Sequence, residues 1–478
     1  MSNNVAANPA PGGTQPVPAA RRNIGLVLGL AAFAALWFLP VPGLSQNGSR
    51  AMAVAALTAI WWIAAVMPPA FPAVLACVLY FVLKISPPAD AFSGFASPSI
   101  WMLLFALIMA KGVDKSGLSK RIAAMLMKKM PLSFEGMVIV FIAMCFIFPF
   151  FIPAAPAIVA LIMTLVLGFM DALGIERSPA NKVSAGLTCF IAILVLTFGR
   201  VPMTGAMPNL VVVGLVRELT GVEVTWIGWL VCMWVAAPIS GIVTYYYITR
   251  KYKPDVAIDP QTMRVQIKKT VESLGPVSTP EKKTLVLVLA AILLWAFDFY
   301  LKIGTNQIGI IIGILYLMPY TGVLTMADFK TLPFDIFVFA GGSYSMGVVL
   351  SKTGFAQWAA SGITAFPFLQ GSSFLVAGTF VLLFAVALHF ILETWGVASL
   401  MTPIIVKAGI LPPKAVTMLL PYGAGFYIFP YQATPIILSL GFGTTSWNDI
   451  TKYGIIMTLV GIAQGILFLG TYWAWTML

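Results

Sequence analysis

Charge is scarce in this chain. Asp, Glu, Lys and Arg make up 9% of its 478 residues, against about 25% in an ordinary soluble domain. With 60% of the residues hydrophobic, there is too little polar surface to face water all round, and a soluble fold is excluded. Histidine is scarcer still, with His389 alone. The four cysteines, Cys77, Cys145, Cys189 and Cys232, lie in apolar stretches without a CxxC pair. That excludes a cysteine–histidine zinc cluster, and the cysteines read as small buried hydrophobes. No HExxH is present, so a zinc hydrolase is excluded too. Acidic residues are the rarer sign, 16 against 28 basic, for a net charge of +12. The basic residues sit mainly in loops between apolar runs, which is the topology signal of membrane proteins. No recognition element accompanies them, so no nucleic-acid partner is expected, and no cofactor motif is present.

What the chain does have is apolar length. Ten or more stretches approach the roughly 20 residues that a membrane-spanning helix needs. The fold class is therefore all-α, a multi-span membrane protein whose first partner is the lipid bilayer. With 33 prolines and 41 glycines, the spans must include breaks. Breaks persist in a membrane only where protein or a polar cavity satisfies the freed backbone groups. A transporter, a channel or an intramembrane enzyme has a use for them, and a simple anchor does not.

Residues 1–22 are polar and rich in proline and glycine, and are predicted to be a disordered cytoplasmic tail. Arg21 and Arg22 then precede an apolar run from 24 to 39, read as the first span rather than a signal peptide. Residues 51–85 suit two helices with a tight turn, and 86–99 reads as a loop. The stretch 101–130 starts as a broken or re-entrant helix and ends basic and amphipathic. Residues 136–170 are too long for one straight span at 1.5 Å per residue and carry Pro149, Pro153 and Pro156, so they form a helix pair or a broken helix. Another break follows Arg200, at Pro202, Gly205 and Pro208. The segment 250–283 is a long polar connection with eight basic and four acidic residues, the clearest cytoplasmic loop. Beyond it lie spans near 284–298 and 304–319, a broken region at 333–351, further helices at 372–392 and 395–410, and a Pro/Gly-rich stretch at 413–441. A final helix from 452 to 476 ends with Tyr472, Trp473 and Trp475 placed as an interfacial aromatic belt.

The halves echo each other. LLFALIMAKGVDKSG (103–117) and VFAGGSYSMGVVLSKTG (338–354) both run from apolar sequence through small residues to Lys-Ser-Gly or Lys-Thr-Gly. Downstream of each comes a proline-bounded break carrying a threonine, VPMTGAMPN (201–209) and FPYQATP (429–435). Paired interruptions in two halves point to a transporter binding site, because broken helices expose N–H groups to anions and carbonyls to cations. Glycine and proline also permit simple bends and close packing. Thr204, Asn209, Gln432 and Thr434 are the polar side chains at the breaks. Among charged candidates, Arg200 abuts the first break, facing either an anion or the headgroups. Asp298 and Asp335 read as interfacial. His389 and Glu393, four apart, are predicted to share a helical face as a proton relay, a cation-coupling element or a structural pair.

On LLFALIMAKGVDKSGLSKRIA (103–123), MTGAMPNLVVVG (203–214) and YQATPIILSLGF (431–442), the chain resembles the divalent anion:sodium symporter family, which includes citrate, succinate and 2-oxoglutarate/malate carriers. The resemblance implies an elevator-type transporter with inverted repeats, two re-entrant hairpins and two discontinuous helices, usually a homodimer. It divides the chain into scaffold helices at 23–93, a first transport repeat at 94–217, scaffold helices at 218–332, a second transport repeat at 333–450 and a C-terminal helix at 451–478. It places the unwound segments at Thr204, Gly205 and Asn209, and near Ala433, Thr434 and Pro435. Family hairpin tips carry Ser-Asn-Thr. Here the first tip reads Pro153, Ala154, Ala155, Pro156, Ala157, and the second is expected at Gly396, Val397, Ala398 and Ser399, with Thr394 nearby. Ala155 and Ala398 offer a cation only backbone groups.

These readings converge on a non-enzymatic secondary transporter of a small organic anion, di- or tricarboxylate-like, in the plasma membrane (a bacterial inner membrane). Sodium symport is the leading coupling, with sodium at Asn209, Ala155, Ala398 and Thr434. The anion falls to Thr204, Gly205, Thr394, Ser399, Gln432, Thr434 and Arg200. Proton coupling through His389 and Glu393 is the alternative. A channel and an intramembrane enzyme are the rivals of other classes.

Overall fold

The structure is a computed structural model that describes residues 19–39, 41–255 and 258–478. Among them every regular element is helical. The predicted tail lies mostly outside the described residues, and Ala19–Arg22 already belong to the first helix, Ala19–Phe38. That helix packs on Gln46–Ala64 through Gly25 and Gly29, where an added Cβ would strike Ala64 or Trp61. Small residues four apart let two membrane helices approach this closely.

Only four described helices are long and apolar enough to cross a membrane alone, Ala19–Phe38, Ala155–Ala172, Phe334–Lys352 and Trp447–Leu469. Trp226–Met233 and Ala236–Lys251 together make a fifth, bent by 40°. Pro98–Ser116 and Thr279–Ala296 match them in length but carry three charged residues each near one end, and further crossings are assembled from shorter helices.

The two halves repeat one plan. In the first, helix Pro98–Ser116 turns at Gly117 into Leu118–Lys128. A hairpin of Phe134–Ile147 and Ala155–Ala172 follows. Then Lys182–Thr188 and Ile191–Phe198 lead through a 3-10 turn, Met203–Gly205, into Met207–Thr220. In the second, Phe334–Lys352 turns at Gly354 into Phe355–Thr364, and the hairpin is Phe374–His389 with Thr394–Ala408. Pro413–Gly423 then leads through Pro430–Gln432 into Thr434–Gly441. Gly117 and Gly354 both sit in the left-handed region, at φ 83° and 89°, where a side chain is strained. Each 3-10 turn is followed by an extended alanine, Ala206 at φ −138° and Ala433 at φ −152°. If each hairpin returns to its own side, the crossings at 182–220, 226–251, 279–296 and 305–315 separate Pro98–Ser116 from Phe334–Lys352. The two long helices then run in opposite directions, which makes the repeats inverted.

Ion pairs cross between the repeats in the same symmetric way. Lys115 Nζ lies 2.6 Å from Asp328, and Lys352 Nζ lies 2.6 Å from Asp90. Each lysine stands two residues before its repeat's left-handed glycine. Each aspartate lies in the short helix, Pro88–Ala91 or Met326–Lys330, that leads into the other repeat's long helix.

Several local expectations are corrected. The stretch 86–99 is not simply a loop, since it holds one-turn helices Pro88–Ala91 and Ser93–Ala96. The stretch 333–351 is not broken but is the continuous helix Phe334–Lys352. Its small residues serve packing: Gly342 faces the backbone of Ala73, Gly341 the ring of Phe95, and Gly347 the carbonyl of Ser399. The polar connection contains a helix, Pro260–Glu272, that buries Met263 and Ile267. The last helix is Trp447–Leu469 followed by a separate turn, Trp473–Thr476. Trp473 is no belt residue. It is fully buried, donates to the carbonyl of Cys232 at 2.8 Å and meets the Tyr422 ring edge-on at 4.9 Å. Trp475 remains 87% exposed.

The hairpins and breaks interlock across the repeats. The second arm of the first hairpin, Ala155–Ala172, packs on Thr434–Gly441, and its counterpart Thr394–Ala408 packs on Met207–Thr220. Ala236–Lys251 lies against Phe134–Ile147 and Trp447–Leu469, while Thr279–Ala296 and Thr305–Leu315 lie against Pro98–Ser116.

Candidate functional site

Each hairpin tip rests on the break of its own repeat. At the first, an added Cβ on Gly205 would stand 2.8 Å from the carbonyl oxygen of Gly199 and 3.0 Å from that of Pro149. Only glycine lets the tip and the unwound segment meet so closely. At the second, Thr394 Oγ1 donates to the carbonyl of Ala424 at 3.1 Å and lies 3.1 Å from the Tyr427 hydroxyl. The ring of His389 meets Tyr427 edge-on, with centroids 4.9 Å apart.

The two breaks satisfy their freed backbone with opposite chemistry. Asn209 is 1% exposed, and its Nδ2 faces three carbonyls of the first break, Gly199 and Pro202 at 3.4 Å and Met203 at 3.3 Å. The N-cap of its helix is Ala206, so Asn209 is not a helix cap. It is a donor set among acceptors. At the second break Gln432 does the reverse. Its Oε1 accepts from the backbone N–H groups of Ile428 and Phe429 at 2.8 and 2.7 Å, and its Nε2 donates to the carbonyl of His389 at 3.2 Å. Both ends of the Gln432 amide are thus used inside the protein.

The structure gathers some predicted residues and disperses others. Thr204 lies in the first 3-10 turn, and its hydroxyl accepts from the indole of Trp226 at 3.3 Å. Ala155 opens the second arm of the first hairpin, and Ala154, Ala155 and Ala433 all pack against the same hydrophobic core. Thr434 opens its helix with an exposed side chain. The second tip is not at 396–399. It is the turn 390–393 between Phe374–His389 and Thr394–Ala408. Ala398 and Ser399 lie within the following helix, and Ser399 Oγ donates to the carbonyl of Trp395 one turn back at 2.5 Å. His389 and Glu393 do not share a helical face, because the chain turns between them. Glu393 is the exposed N-cap of the second arm. His389 is 1% exposed. Its Nδ1 faces the carbonyl of Leu392 at 3.2 Å, so Nδ1 carries the hydrogen and Nε2 is left as a buried acceptor without a partner among the described residues.

Arg200 is buried, and its guanidinium turns toward Pro413–Gly423. Nε donates to the carbonyl of Thr197 at 3.3 Å and Nη1 to that of Tyr422 at 2.5 Å. Asp298 stands just beyond the end of Thr279–Ala296. It is buried, and Oδ2 accepts from the backbone N–H of Trp226 at 2.8 Å and from the Thr305 hydroxyl at 3.0 Å. Trp226 and Tyr427 are the neighbours that sequence reasoning missed, and neither had a local signal. Pro149 was read as a helix breaker. No set of three potential metal ligands from His, Cys, Asp and Glu occurs among the described residues. With Ser399 bonded back to its own helix, no nucleophile hydrogen-bonds His389 among the described residues.

The model of the sodium:sulfate symporter transmembrane region matches residues 20–478. Inner membrane protein YbhI of Escherichia coli (strain K12) is 23% identical over 405 residues, covering 81% of this chain and 82% of that one. The L-tartrate/succinate antiporter of the same organism is 22% identical over 386 residues, 77% of each chain. Among solved structures, the YdaH transporter of Alcanivorax borkumensis shares the fold at a TM-score of 0.54 and 12% identity, covering 97% of this chain and 100% of its own. With a match that runs from the first helix to the last residue, the chain belongs to the sodium:sulfate symporter family and is a membrane carrier, not an enzyme.

Proposed function

We propose that the chain is a secondary active transporter that carries a di- or tricarboxylate by symport with sodium. The observation that supports this most is how four helices begin. Those starting at a tip or a break have Ala154, Glu393, Ala206 and Ala433 as N-caps, and none makes a side-chain cap bond. Helices that start in polar loops at 46, 134, 182 and 226 are capped by Ser45, Ser133, Asn181 and Thr225. Uncapped helix starts offer positive dipole ends to an anion, and with Pro156, Pro208 and Pro435 at the second position of three of them the first-position N–H groups are the ones left to donate. They supply what the absent Ser-Asn-Thr hydroxyls and amides would otherwise give. Thr204, Gly205, Thr394 and Thr434 border these starts. The substrate class rests on the tartrate/succinate antiporter among the relatives.

Sodium is assigned to the first break. Its three convergent carbonyls suit a hard cation, and the Asn209 amide turned over adds its own oxygen. Sodium there completes the site and raises affinity for the anion, so the loaded carrier crosses as a unit. The basic loops support an inner-membrane location with residues 250–283 in the cytoplasm, and the family resemblance supports a homodimer. Uptake into proteoliposomes from a panel of dicarboxylates, citrate and neutral metabolites tests the whole reading. A sodium gradient should drive carboxylate uptake, and a potassium gradient should not. Uptake of neutral metabolites alone would overturn the substrate class.

Proton coupling is the second reading, favoured by the unpartnered Nε2 of His389 and the uncompensated Glu393 at the same tip. If a proton gradient drives uptake without sodium, and His389→Gln abolishes that drive, this reading replaces sodium coupling.

A further inference from the structure

Behind the breaks lies a small cavity, lined by Thr197, Arg200, Ser240, Tyr422, Phe426 and Gln464 among others. No tip residue and no acidic residue lines it. A water-sized particle has about 10 Å³ in which to place its centre, room for one water or one single-atom ion. The carboxylate of a larger molecule does not fit, because its carbon chain has nowhere to go.

Arg200 dominates this space. It is 6% exposed and forms no ion pair among the described residues. Nε and Nη1 are taken by carbonyls, while Nη2 makes no hydrogen bond to a described residue. The guanidinium carbon lies 4.7 Å from the centre of the Phe426 ring and 5.0 Å from that of Tyr422. The seat is shaped for it, since a Cβ on Gly425 would come within 2.6 Å of Arg200 Cδ. A buried charge needs compensation, and two ring faces supply part of it. Ser240 and Gln464 line the same cavity as Arg200, and Gln464 Nε2 makes only a 3.5 Å bond to the carbonyl of Ala236. A cation, a hydroxyl and an amide donor facing one small space without a carboxylate form an anion's coordination set.

We propose that this cavity is a halide site, in which a chloride ion neutralises Arg200 and is held by Arg200 Nη2, Ser240 Oγ and Gln464 Nε2. The site is separate from the carboxylate site at the tips. The ion joins Ile191–Phe198 and Pro413–Gly423, the helices leading into the two breaks, to Ala236–Lys251 and Trp447–Leu469. Bound chloride therefore fixes the two breaks relative to each other.

Thermal unfolding of the full-length protein in detergent tests this without any transport measurement. Sodium methanesulfonate is replaced stepwise by sodium chloride or sodium bromide at constant ionic strength. The melting temperature should rise saturably with either halide. The Ser240→Ala/Gln464→Leu double variant keeps Arg200 and should need at least tenfold more chloride for half the effect. Arg200→Gln should lose the effect entirely. A structure from bromide should place an anomalous peak beside Arg200. Equal melting in all three salts, or a halide response undiminished in the double variant, would overturn the proposal and leave the cavity to water. An Arg200-dependent response to succinate but not to halide would overturn it too, and would make the cavity part of the carboxylate site.

Discussion

At the scale of single residues, the two break amides invite opposite tests. Asn209 gives hydrogens to three carbonyls, so Asn209→Ala strips all three of their donor. The expected cost is about 1–3 kcal/mol, seen as a lower melting temperature in potassium. If sodium binds among those carbonyls, sodium should also stabilise the variant less than the parent and half-maximal uptake should need more sodium. Unchanged sodium dependence with earlier melting would remove the cation assignment at Asn209. Gln432 is fully engaged within the protein. Gln432→Leu leaves the N–H groups of Ile428 and Phe429 without an acceptor. It should therefore cost about 1–3 kcal/mol whatever ion or anion is present. Asp298→Ala belongs with it, since it orphans the backbone N–H of Trp226, whose indole donates to Thr204.

At the scale of elements, the repeats turn at one backbone conformation. Gly354 at φ 89° is where Phe334–Lys352 gives way to Phe355–Thr364, and Gly354→Val should destabilise by about 1–3 kcal/mol through strain alone. The crossed ion pairs hold these helix ends. The Lys115 ammonium, with the hydroxyl and N–H of Thr325, keeps the Asp328 carboxyl well below the usual carboxylate range. A depressed carboxyl contributes stability above its unfolded value near 4 and loses it as pH falls through the folded value. The Lys115–Asp328 pair should thus be intact at neutral pH and fail only in strong acid. Both partners are partly exposed, so Lys115→Ala should cost no more than about 0.2–1 kcal/mol at pH 7. The charge swap Lys115→Asp/Asp328→Lys should recover much of that loss in a double-mutant cycle.

For the whole molecule, sidedness is the testable quantity. Val265 is exposed on Pro260–Glu272, and all four native cysteines are buried, so Val265→Cys gives a clean labelling site. An impermeant thiol reagent should reach it in inside-out vesicles and not in intact cells. Labelling from outside would invert the topology, and with it the positive-inside reading of the basic loops.

Membrane residence, the all-helical fold, the breaks at 201–209 and 429–435 and the repeat of the halves were legible in the amino-acid order. Those properties follow from local quantities. Apolar length, proline and left-handed glycine act on their own few residues. Hence 201–209 and 429–435 were legible as breaks, and Lys-Ser-Gly and Lys-Thr-Gly as matching turns. Small residues are ambiguous at that range. The glycines of 341–347 look like a break until Ala73 and Phe95 arrive to pack on them, and matching the family's tip motif to 396–399 drew the second tip away from 390–393. Tertiary structure alone decided what satisfies each polar group. The carbonyls that face Asn209, the N–H groups that occupy Gln432 and the rings that hold Arg200 meet these side chains only when the breaks and the helices around them close together. A polar side chain placed in apolar sequence must find a partner. Which partner it finds is a property of the folded chain.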